Sequence, residues 1–323
     1  MPGISAGGSC EDERMSPRLP AIDPVLLAQW CEEHLGSAPA GEIFRSGYLS
    51  VVTGLRLADG RGVVVKVRPD SPRIAGCVEV QRRLYGSGYP CPEPLTGAVP
   101  FGEDVATAEA YIPGGAALPG AGRSAWAFAG AFARLITAAP RPAEVPGLDP
   151  PPSWADWDHA GAGLWPHPDD PDVDLNEVAG PAWIDDTGRR ARDRLRAGAS
   201  QAVIGHCDWL AANLRWNGDN LLAVHDWDSV TADSEAVLAG FAAALYSTVS
   251  VNQLATVEET QRFLVAYREA HGRELSADEL ERSWAAGAWT RAYDARYQHA
   301  AGQPVRSLTE TAARERLRRA GIG

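Results

Sequence analysis

Apolar residues recur with two different periods along the first third of the chain. Helical spacing over residues 24–35 and 71–85 predicts two amphipathic helices. Short runs rich in β-branched residues at 48–57, 62–67 and 105–112 predict β-strands, and the first two of these read as an antiparallel meander. This order of elements indicates a small β-rich unit at the N-terminal end.

Helical spacing dominates the remainder of the chain. A larger, mainly helical unit is therefore expected at residues 113–323, after the β-rich unit at residues 21–112. Residues 1–20 are rich in Gly, Ser and Pro and are predicted to be a disordered tail. The predicted helices of the second unit lie at residues 124–138, 183–198, 234–249, 257–271, 277–299 and 307–320.

The segment at residues 140–181 breaks the helical pattern. It holds many prolines, several tryptophans and many acids, and no Lys or Arg occurs between Arg141 and Arg189. Long segments of this kind in compact domains are usually functional or disordered. A lid or wall over a substrate and a solvated acidic loop are equally good interpretations.

Polar residues interrupt the apolar pattern between residues 203 and 229. An apolar tripeptide leads into a polar stretch that contains Asp208, and Asn213 follows five positions later. A turn at residues 217–220 then precedes an apolar run that delivers Asp226. We predict a loop, a strand, a hairpin turn and a second strand. Two carboxylates and one carboxamide would then lie at the ends of paired strands.

The composition is that of an ordinary soluble protein of 323 residues, with 45% hydrophobic and 22% charged residues. No apolar run approaches the ~20 residues of a membrane span. The formal net charge of −12 argues against nucleic acid as a partner. Acids near the N-terminus, where a signal peptide would be apolar, and five cysteines without metal spacing lead us to expect a cytoplasmic protein with reduced thiols.

Lys66 is the only lysine among the 30 Lys and Arg residues. A position that stays Lys against such a bias is expected to need a compact ammonium rather than a planar guanidinium. The residue lies inside an apolar strand, where the ammonium must meet anions or bear a desolvation cost. An edge strand with the ammonium in solvent is the alternative.

Carboxylates and a carboxamide at this spacing suit phosphoryl transfer from ATP. The reaction needs hard oxygen ligands for Mg²⁺ and a carboxylate that orients the attacking hydroxyl and accepts its proton. Asp208 is placed for the hydroxyl, and Asn213 and Asp226 are placed for the metal. The same residues also suit a β-hairpin in which Asp and Asn only cap turns.

This stretch resembles the aminoglycoside phosphotransferase family of small-molecule kinases. Cys207 and Trp209 depart from the family pattern, which has a glycine and commonly an aliphatic residue there. The resemblance implies a two-lobed, protein-kinase-like α+β fold, with a nucleotide-binding lobe at residues 21–112 and a catalytic and acceptor-binding lobe at residues 113–323. The residues that carry it are His206, Asp208, Asn213, Asp226, Trp227 and Asp228.

The resemblance also implies roles in the first lobe. Lys66 would contact the α/β-phosphates of ATP, and Glu79 of the following helix would position that lysine. Ser46 lies where a phosphate-covering loop is expected, although the segment has one glycine instead of G-x-G-x-x-G. Backbone groups of Glu109 to Tyr111 would meet the adenine.

We therefore expect an ATP- and Mg²⁺-dependent O-phosphotransferase that acts on a small hydroxylated molecule. Aminoglycoside-like antibiotics, sugars and amino alcohols are the candidate acceptors, and an acidic surface suits a cationic one. A resistance enzyme and a metabolic kinase are rival interpretations. Two other classes stay open: a nucleotide-binding pseudokinase with a regulatory or scaffold role, and an acidic binding protein for a cationic metabolite.

Overall fold

The computed structural model describes residues 22–47, 49–118, 124–168, 173–198, 200–247 and 254–323. The predicted N-terminal tail at residues 1–20 lies outside these ranges. The first part of the described chain forms α1 (Pro24–Leu35), β1 (Pro39–Gly47), β2 (Val51–Leu57), β3 (Gly62–Arg68), α2 (Arg73–Gly86), β4 (Val99–Phe101) and β5 (Asp104–Ala110).

α1 begins and ends where the apolar spacing predicts. The side chain of Asp23 accepts a hydrogen bond from the backbone N–H of Val25 at 2.8 Å, which satisfies one unpaired donor of the first turn. Gly36 ends the helix in the left-handed conformation (φ 72°), which glycine adopts without steric cost. Local capping chemistry therefore defines both helix boundaries.

The strands β1 to β5 form one antiparallel sheet in the order β1-β2-β3-β5-β4. Strand β3 is interior, hydrogen-bonded to β2 and to β5. Its Val63 and Val65 are fully buried in a cluster that also contains Trp30 of α1. Because successive side chains of a strand point to opposite faces, Lys66 lies on the other face of the sheet.

The second part of the described chain is mainly helical, as predicted. Its elements are α3 (Ser124–Ala138), α4 (Ala182–Arg196), β6 (Ala202–His206), β7 (Leu214–Asn217), β8 (Asn220–Val224), β9 (Val230–Ser234), α5 (Glu235–Leu245), α6 (Val257–His271), α7 (Ala277–Ala300) and α8 (Glu310–Arg319).

Two short antiparallel ladders lie among these helices. β7 and β8 form the predicted hairpin, which turns through Gly218 at φ 59°. β6 pairs with β9, from Ala202 opposite Ser234 to His206 opposite Val230. This second pairing was not predicted. It brings the start of the polar stretch next to the residues that follow Asp226.

The main core fills the helical part, and α5 lies at its centre. Residues 236–245 of α5 are all buried. α5 approaches α7 closely at Gly240, where an added Cβ would overlap the carbonyl oxygen of Ser283 and lie 2.9 Å from the Cβ of Ala286. Within the described ranges, none of the helices combines the length and the apolar character that crossing a membrane requires.

Gly240→Ala is expected to destabilise the protein by about 1–3 kcal/mol, because the new methyl group forces α5 and α7 apart in a close-packed core. Gly130→Ala on α3 is the matched control. Its Cβ would have its nearest neighbour at 4.0 Å, so the better helix former should raise stability by about 0.5–1 kcal/mol. Urea denaturation followed by circular dichroism measures both. Equal changes in the free energy of unfolding for the two substitutions would contradict the close approach of α5 to α7.

Candidate active site

His206 anchors the loop that carries the candidate residues. The backbone N–H of Asp208 donates to its Nδ1 at 3.2 Å, and Nε2 lies 3.1 Å from the carbonyl oxygen of His225. Because Nδ1 accepts, the proton is on Nε2 and the ring is neutral. Burial agrees with this, since it lowers the pKa of His206. The imidazole therefore ties the start of the loop to the residue before Asp226.

Asp208 and Asn213 form a hydrogen-bonded pair. Nδ2 of Asn213 donates to the carbonyl oxygen and to Oδ2 of Asp208, each at 2.9 Å. The turn Ala211–Asn213 brings the two side chains together. Since the amide nitrogen is committed to Asp208, Oδ1 is the atom of Asn213 that can bind a cation.

The pKa of Asp208 is raised to about 7, mainly because the carboxyl is buried. The nearby charge of Asp226 also raises it, the hydrogen bond from Asn213 lowers it, and the charge of Asp294 on α7 raises it. Three carboxylates therefore share one region. Such a group attracts cations, and perturbed pKa values of this kind are typical of functional sites.

Asp226 adopts a left-handed backbone conformation (φ 63°, ψ 51°). Among the described residues it is the only one other than glycine with a positive φ. Asp tolerates this conformation better than most residues, yet it still costs roughly 1 kcal/mol or more. The conformation brings Oδ1 to 3.9 Å from Nζ of Lys66. Strain of this kind concentrates at functional sites.

Two arginines hold the segment that follows Asp226. Arg68, at the end of β3, forms an ion pair with Asp228. Arg73, at the start of α2, donates to the carbonyl oxygens of Asp228 at 3.1 Å and of Val230 at 2.6 Å. These charge-assisted hydrogen bonds join the sheet side of the site to the helical side.

Lys66 contacts two carboxylates. Its Nζ lies 4.0 Å from Oε1 of Glu109 on β5 and 3.9 Å from Oδ1 of Asp226. The lysine side chain is only 9% exposed, and β3 is an interior strand. The alternative of an edge lysine with its ammonium in solvent is therefore excluded, and the buried ammonium meets anions as its surroundings require.

The structure does not show the predicted pairing of Lys66 with Glu79. Glu79 lies on the outer face of α2, where its carboxylate binds Arg82 at 2.7 Å and Arg83 at 2.8 Å. Residues three and four positions apart lie side by side on a helix, so Arg82 and Arg83 neutralise the carboxylate of Glu79 at the surface. Gln81, two positions later, faces inward instead and donates to Oε2 of Glu109 at 2.9 Å.

Ser46 lies at the end of β1 and not in a loop. It is opposite Val52, which is opposite Lys66 on the next strand. Directly opposed residues share a sheet face, so Ser46 lies on the face of Lys66 at a distance of about two strand spacings, ~10 Å. The adjacent Gly47 has φ 143°, and an added Cβ there would overlap the carbonyl oxygen of Ser50. The described part of this segment before residue 48 is therefore the end of a strand.

The last backbone donor of β5 and the first one after it are bound within the protein. The N–H of Ala110 donates to the carbonyl oxygen of Glu93 at 2.8 Å, and the N–H of Tyr111 donates to the carbonyl oxygen of Gly62 at 3.0 Å. An adenine bound here would therefore meet carbonyl groups of this segment, or donors beyond Tyr111. Of the backbone groups at residues 109–111 that were expected to meet adenine, the N–H groups of Ala110 and Tyr111 already have partners within the protein.

Phe44 is a neighbour of the site that the sequence pattern does not single out. It lies opposite Gly54 on the sheet face of Lys66, and its ring occupies the space that a Cβ on Gly54 would need. Its ring centroid is 6.1 Å from that of Tyr111. Phe44 is 36% exposed, so an aromatic surface lies on the same face of the sheet as Lys66. One aromatic residue in a strand carries no chemical signature, and only the strand register reveals it.

The acidic segment at residues 140–181 turns its tryptophans inward in the parts that the structure describes. Trp165 lies against Trp289, with ring centroids 5.0 Å apart, and donates to Asp185 at 2.9 Å. Trp157 donates to Asp233 of β9 at 2.8 Å. These tryptophans pack against the helical part. The interpretation as a solvated acidic loop does not hold for them.

Asn213 and Asp226 supply oxygen donors that fit a divalent cation. Mg²⁺ usually takes one or two protein oxygens and completes its shell with substrate phosphates and water. No group of three or more His, Cys, Asp or Glu in the described parts of the chain could hold a metal ion. The donor set therefore suits a metal that is held jointly with bound phosphates.

Residues 41–234 match the sequence model of the phosphotransferase enzyme family. The match covers more than half of the chain, from β1 to the end of β9, and includes Lys66, Asp208, Asn213 and Asp226. No curated protein sequence matches this chain significantly.

Solved structures share the fold at low sequence identity. A thermostable mutant of aminoglycoside phosphotransferase APH(4)-Ia, with ADP and hygromycin B, is 16% identical with a TM-score of 0.61, over 92% of this chain and 99% of that one. Amicoumacin kinase hAmiN is 11% identical with a TM-score of 0.59, over 88% of each chain. A putative fructosamine-3-kinase from Thermobifida fusca is 17% identical with a TM-score of 0.57, over 90% of this chain and 98% of that one. The predicted kinase-like α+β fold is confirmed.

Asp208→Asn is expected to stabilise the protein at alkaline pH when divalent cations are absent. The native pKa of about 7 lies above the ordinary 3.8, so stability present below pH 3.8 is lost as the pH rises through 7. An amide does not ionise and avoids this loss.

Scanning calorimetry should therefore show a Tm higher by about 2 °C or more for the variant at pH 8. The difference should vanish at about pH 2.5, well below the ordinary pKa of 3.8, where the carboxyl is protonated in both the folded and the unfolded state. Equal Tm values at pH 8 would contradict the raised pKa.

Proposed function

Since this chain belongs to the phosphotransferase enzyme family, we propose that it transfers the γ-phosphoryl group of ATP to a hydroxyl of a small molecule. The observation that carries the proposal is the series of contacts from Lys66 through Asp226 to Asp208 and Asn213. Lys66 and Asp226 lie 3.9 Å apart, Asp208 and Asn213 share a hydrogen bond of 2.9 Å, and the charge of Asp226 raises the pKa of Asp208. Phosphoryl transfer requires this combination of an ammonium, metal ligands and a carboxylate.

The nucleotide end of the site consists of Lys66, Asn213 and Asp226. The ammonium of Lys66 would neutralise the α/β-phosphates as a compact point charge. Oδ1 of Asn213 and the carboxylate of Asp226 would hold Mg²⁺, which supplies charge neutralisation at the phosphate oxygens. The protein's own part is positioning: Arg68 and Arg73 hold the segment after Asp226.

Asp208 would act at the acceptor end. Its carboxylate would orient the acceptor hydroxyl toward the phosphorus and accept the hydroxyl proton as the new bond forms. A proton acceptor works best when its pKa lies near the working pH. Asn213 occupies Oδ2 of Asp208, so Oδ1 is the oxygen that would face the hydroxyl.

The acceptor is proposed to carry a positive charge. Asp294 on α7 affects the pKa of Asp208 from the helical side, and its own pKa is raised to about 7, mainly by burial. It makes no hydrogen bond or ion pair with any residue in the described ranges; the charge of Arg291 is its electrostatic partner. A partly buried carboxylate whose charge acts on Asp208 would favour an ammonium on the acceptor. The formal net charge of −12 adds long-range attraction.

The names of structures that share the fold support two classes of such acceptors. Those of APH(4)-Ia with hygromycin B and of spectinomycin phosphotransferase with spectinomycin point to antibiotics, and hence to a resistance role. The putative fructosamine-3-kinase and a choline/ethanolamine kinase family protein from Mesorhizobium loti point to sugar amines and amino alcohols. Both classes belong in a substrate panel.

Asp208→Asn is expected to lower acceptor-dependent ADP release by about 10²-fold or more, because proton acceptance and hydroxyl orientation are lost. Binding of Mg·ATP should persist, since Asp208 holds neither phosphate nor metal. Asp226→Ala should abolish the thermal stabilisation by Mg·ATP, because a metal ligand is lost. The measurement is ADP release with Mg·ATP against aminoglycosides, other antibiotics, sugars and amino alcohols.

Each outcome of this assay separates the candidate functions. Acceptor-dependent ADP that disappears in Asp208→Asn establishes the kinase and its substrate class. Thermal stabilisation by Mg·ATP without turnover on any acceptor would favour the pseudokinase. No response to the nucleotide at all would favour an acidic binding protein.

Asp294→Asn is expected to raise the KM for a cationic acceptor about tenfold, the effect of losing about 1.4 kcal/mol of binding free energy. The KM for ATP should not change, because the charge of Asp294 acts on Asp208, which in this proposal holds neither phosphate nor metal. Glu310→Gln, which removes an exposed charge from α8, is the matched control for the change in net charge. A similar rise with a neutral acceptor would contradict the ammonium contact.

A further inference from the structure

The ammonium of Lys66 has a buried carboxylate partner that does not come from a helix. We propose that Glu109 of β5, oriented by the amide of Gln81, is the residue that positions Lys66 for the phosphates of the nucleotide. This assignment rests on the proposed function. Glu109 acts through Lys66 and is therefore a positioning residue.

Strand register places Glu109 beside Lys66. On the ladder between β3 and β5, Lys66 is opposite Thr107 and Val64 is opposite Glu109. Directly opposed residues point to the same face, and residues two apart on a strand also share a face. Glu109 and Lys66 therefore lie diagonally on one face of the sheet. Oε1 and Nζ are 4.0 Å apart, and both side chains are 9% exposed.

The amide of Gln81 holds Glu109 in place. Its Nε2 donates to Oε2 of Glu109 at 2.9 Å and to the carbonyl oxygen of Pro92 at 3.0 Å. Gln81 is 4% exposed, so water does not compete for these bonds. With both amide hydrogens directed to acceptors of known position, Oε2 is occupied. Oε1 is then the oxygen that faces Lys66.

Helix α2 has no carboxylate on the side that faces Lys66. Glu79 is the only acid in its sequence Arg73–Gly86, and it binds Arg82 and Arg83 on the outer face. An α-helix rotates by about 100° per residue, so Glu79 and Gln81 point about 200° apart. The buried ammonium nevertheless needs a counter-charge, and β5 supplies it.

A strand-borne partner makes the position of Lys66 independent of α2. β3 and β5 are hydrogen-bonded neighbours, so the Lys66–Glu109 pair moves as one unit with the sheet. A shift of α2 would alter the hydrogen bond from Gln81 but would not remove the carboxylate. Where the partner is a helix Glu, by contrast, helix position controls whether the pair forms.

The uniqueness of Lys66 as the only lysine in the chain permits a direct measurement. Acylation of its amine by an N-hydroxysuccinimide ester, followed by peptide mapping, reports on this residue without turnover or nucleotide. Glu109→Gln keeps the shape of the side chain and removes the ion-pair partner that holds the amine in place, so acylation of the amine at pH 8 should be faster by about fivefold or more. Glu79→Gln, the matched control, should leave the rate unchanged.

Kinetics provide the second readout. Glu109→Gln should raise the KM for ATP about tenfold and leave the KM for the acceptor unchanged, whereas Glu79→Gln should change neither. The double variant Glu109→Gln/Gln81→Glu exchanges the carboxylate and the amide and keeps the net charge. It should recover part of the loss, because residues 81, 109 and 66 line one small cavity. Recovery will be incomplete, since a carboxylate cannot donate to Pro92.

The outcomes are distinguishable from failure of the proposed function. A rise in acylation with Glu109→Gln alone supports the assignment even when no acceptor is turned over. A rise with Glu79→Gln, or none with Glu109→Gln, overturns it. Should Glu109→Gln not fold, as shown by circular dichroism, Glu109→Asp replaces it. The shortened side chain stays charged but no longer reaches Lys66 as closely, so acylation should be faster than in the wild type. A rate equal to that of the wild type overturns the assignment.

Discussion

The contact between Lys66 and Asp226 joins the two parts of the site, and the surrounding structure holds both residues in place. Lys66 is positioned by an interior strand and by Glu109 beside it. Asp226 keeps a left-handed backbone conformation because its neighbours are held on both sides. The carbonyl of His225 is bound by His206, and the residues after Asp226 are held by Arg68 and Arg73.

Like charges lie close together in this region of the site. Asp208, Asp226 and Asp294 lie close enough for the charges of the latter two to raise the pKa of Asp208. Such an arrangement reduces the stability of the protein without ligands and strengthens the binding of a metal ion or an ammonium. The buried arginines serve a different purpose: they bind backbone carbonyls and Asp228 and maintain the shape of the loop.

The sequence pattern predicted the parts of the site that are close together along the chain. Asp208 and Asn213, five positions apart, form a direct hydrogen bond, and the hairpin before Asp226 forms as expected. The capped helix α1 also lies at the predicted residues. The sequence pattern did not predict which residues from distant segments of the chain come together. Glu79 binds two arginines on the helix surface instead of Lys66, and Ser46 lies within strand β1.

The sequence by itself determined the kind of chemistry. Asp208, Asn213 and Asp226 lie within about twenty residues of one another, and a turn and a hairpin over so short a stretch fix their relative positions. It also determined that Lys66 needs an anion, since an ammonium within an apolar strand cannot remain unpaired. Only the tertiary structure decided which anion that is. A difference of two positions on α2 reverses the direction of a side chain, and the register of β3 against β5 brings Glu109 alongside. Phe44 and Asp294 likewise join the site through strand register and helix packing, which the spacing of residues along the chain does not encode.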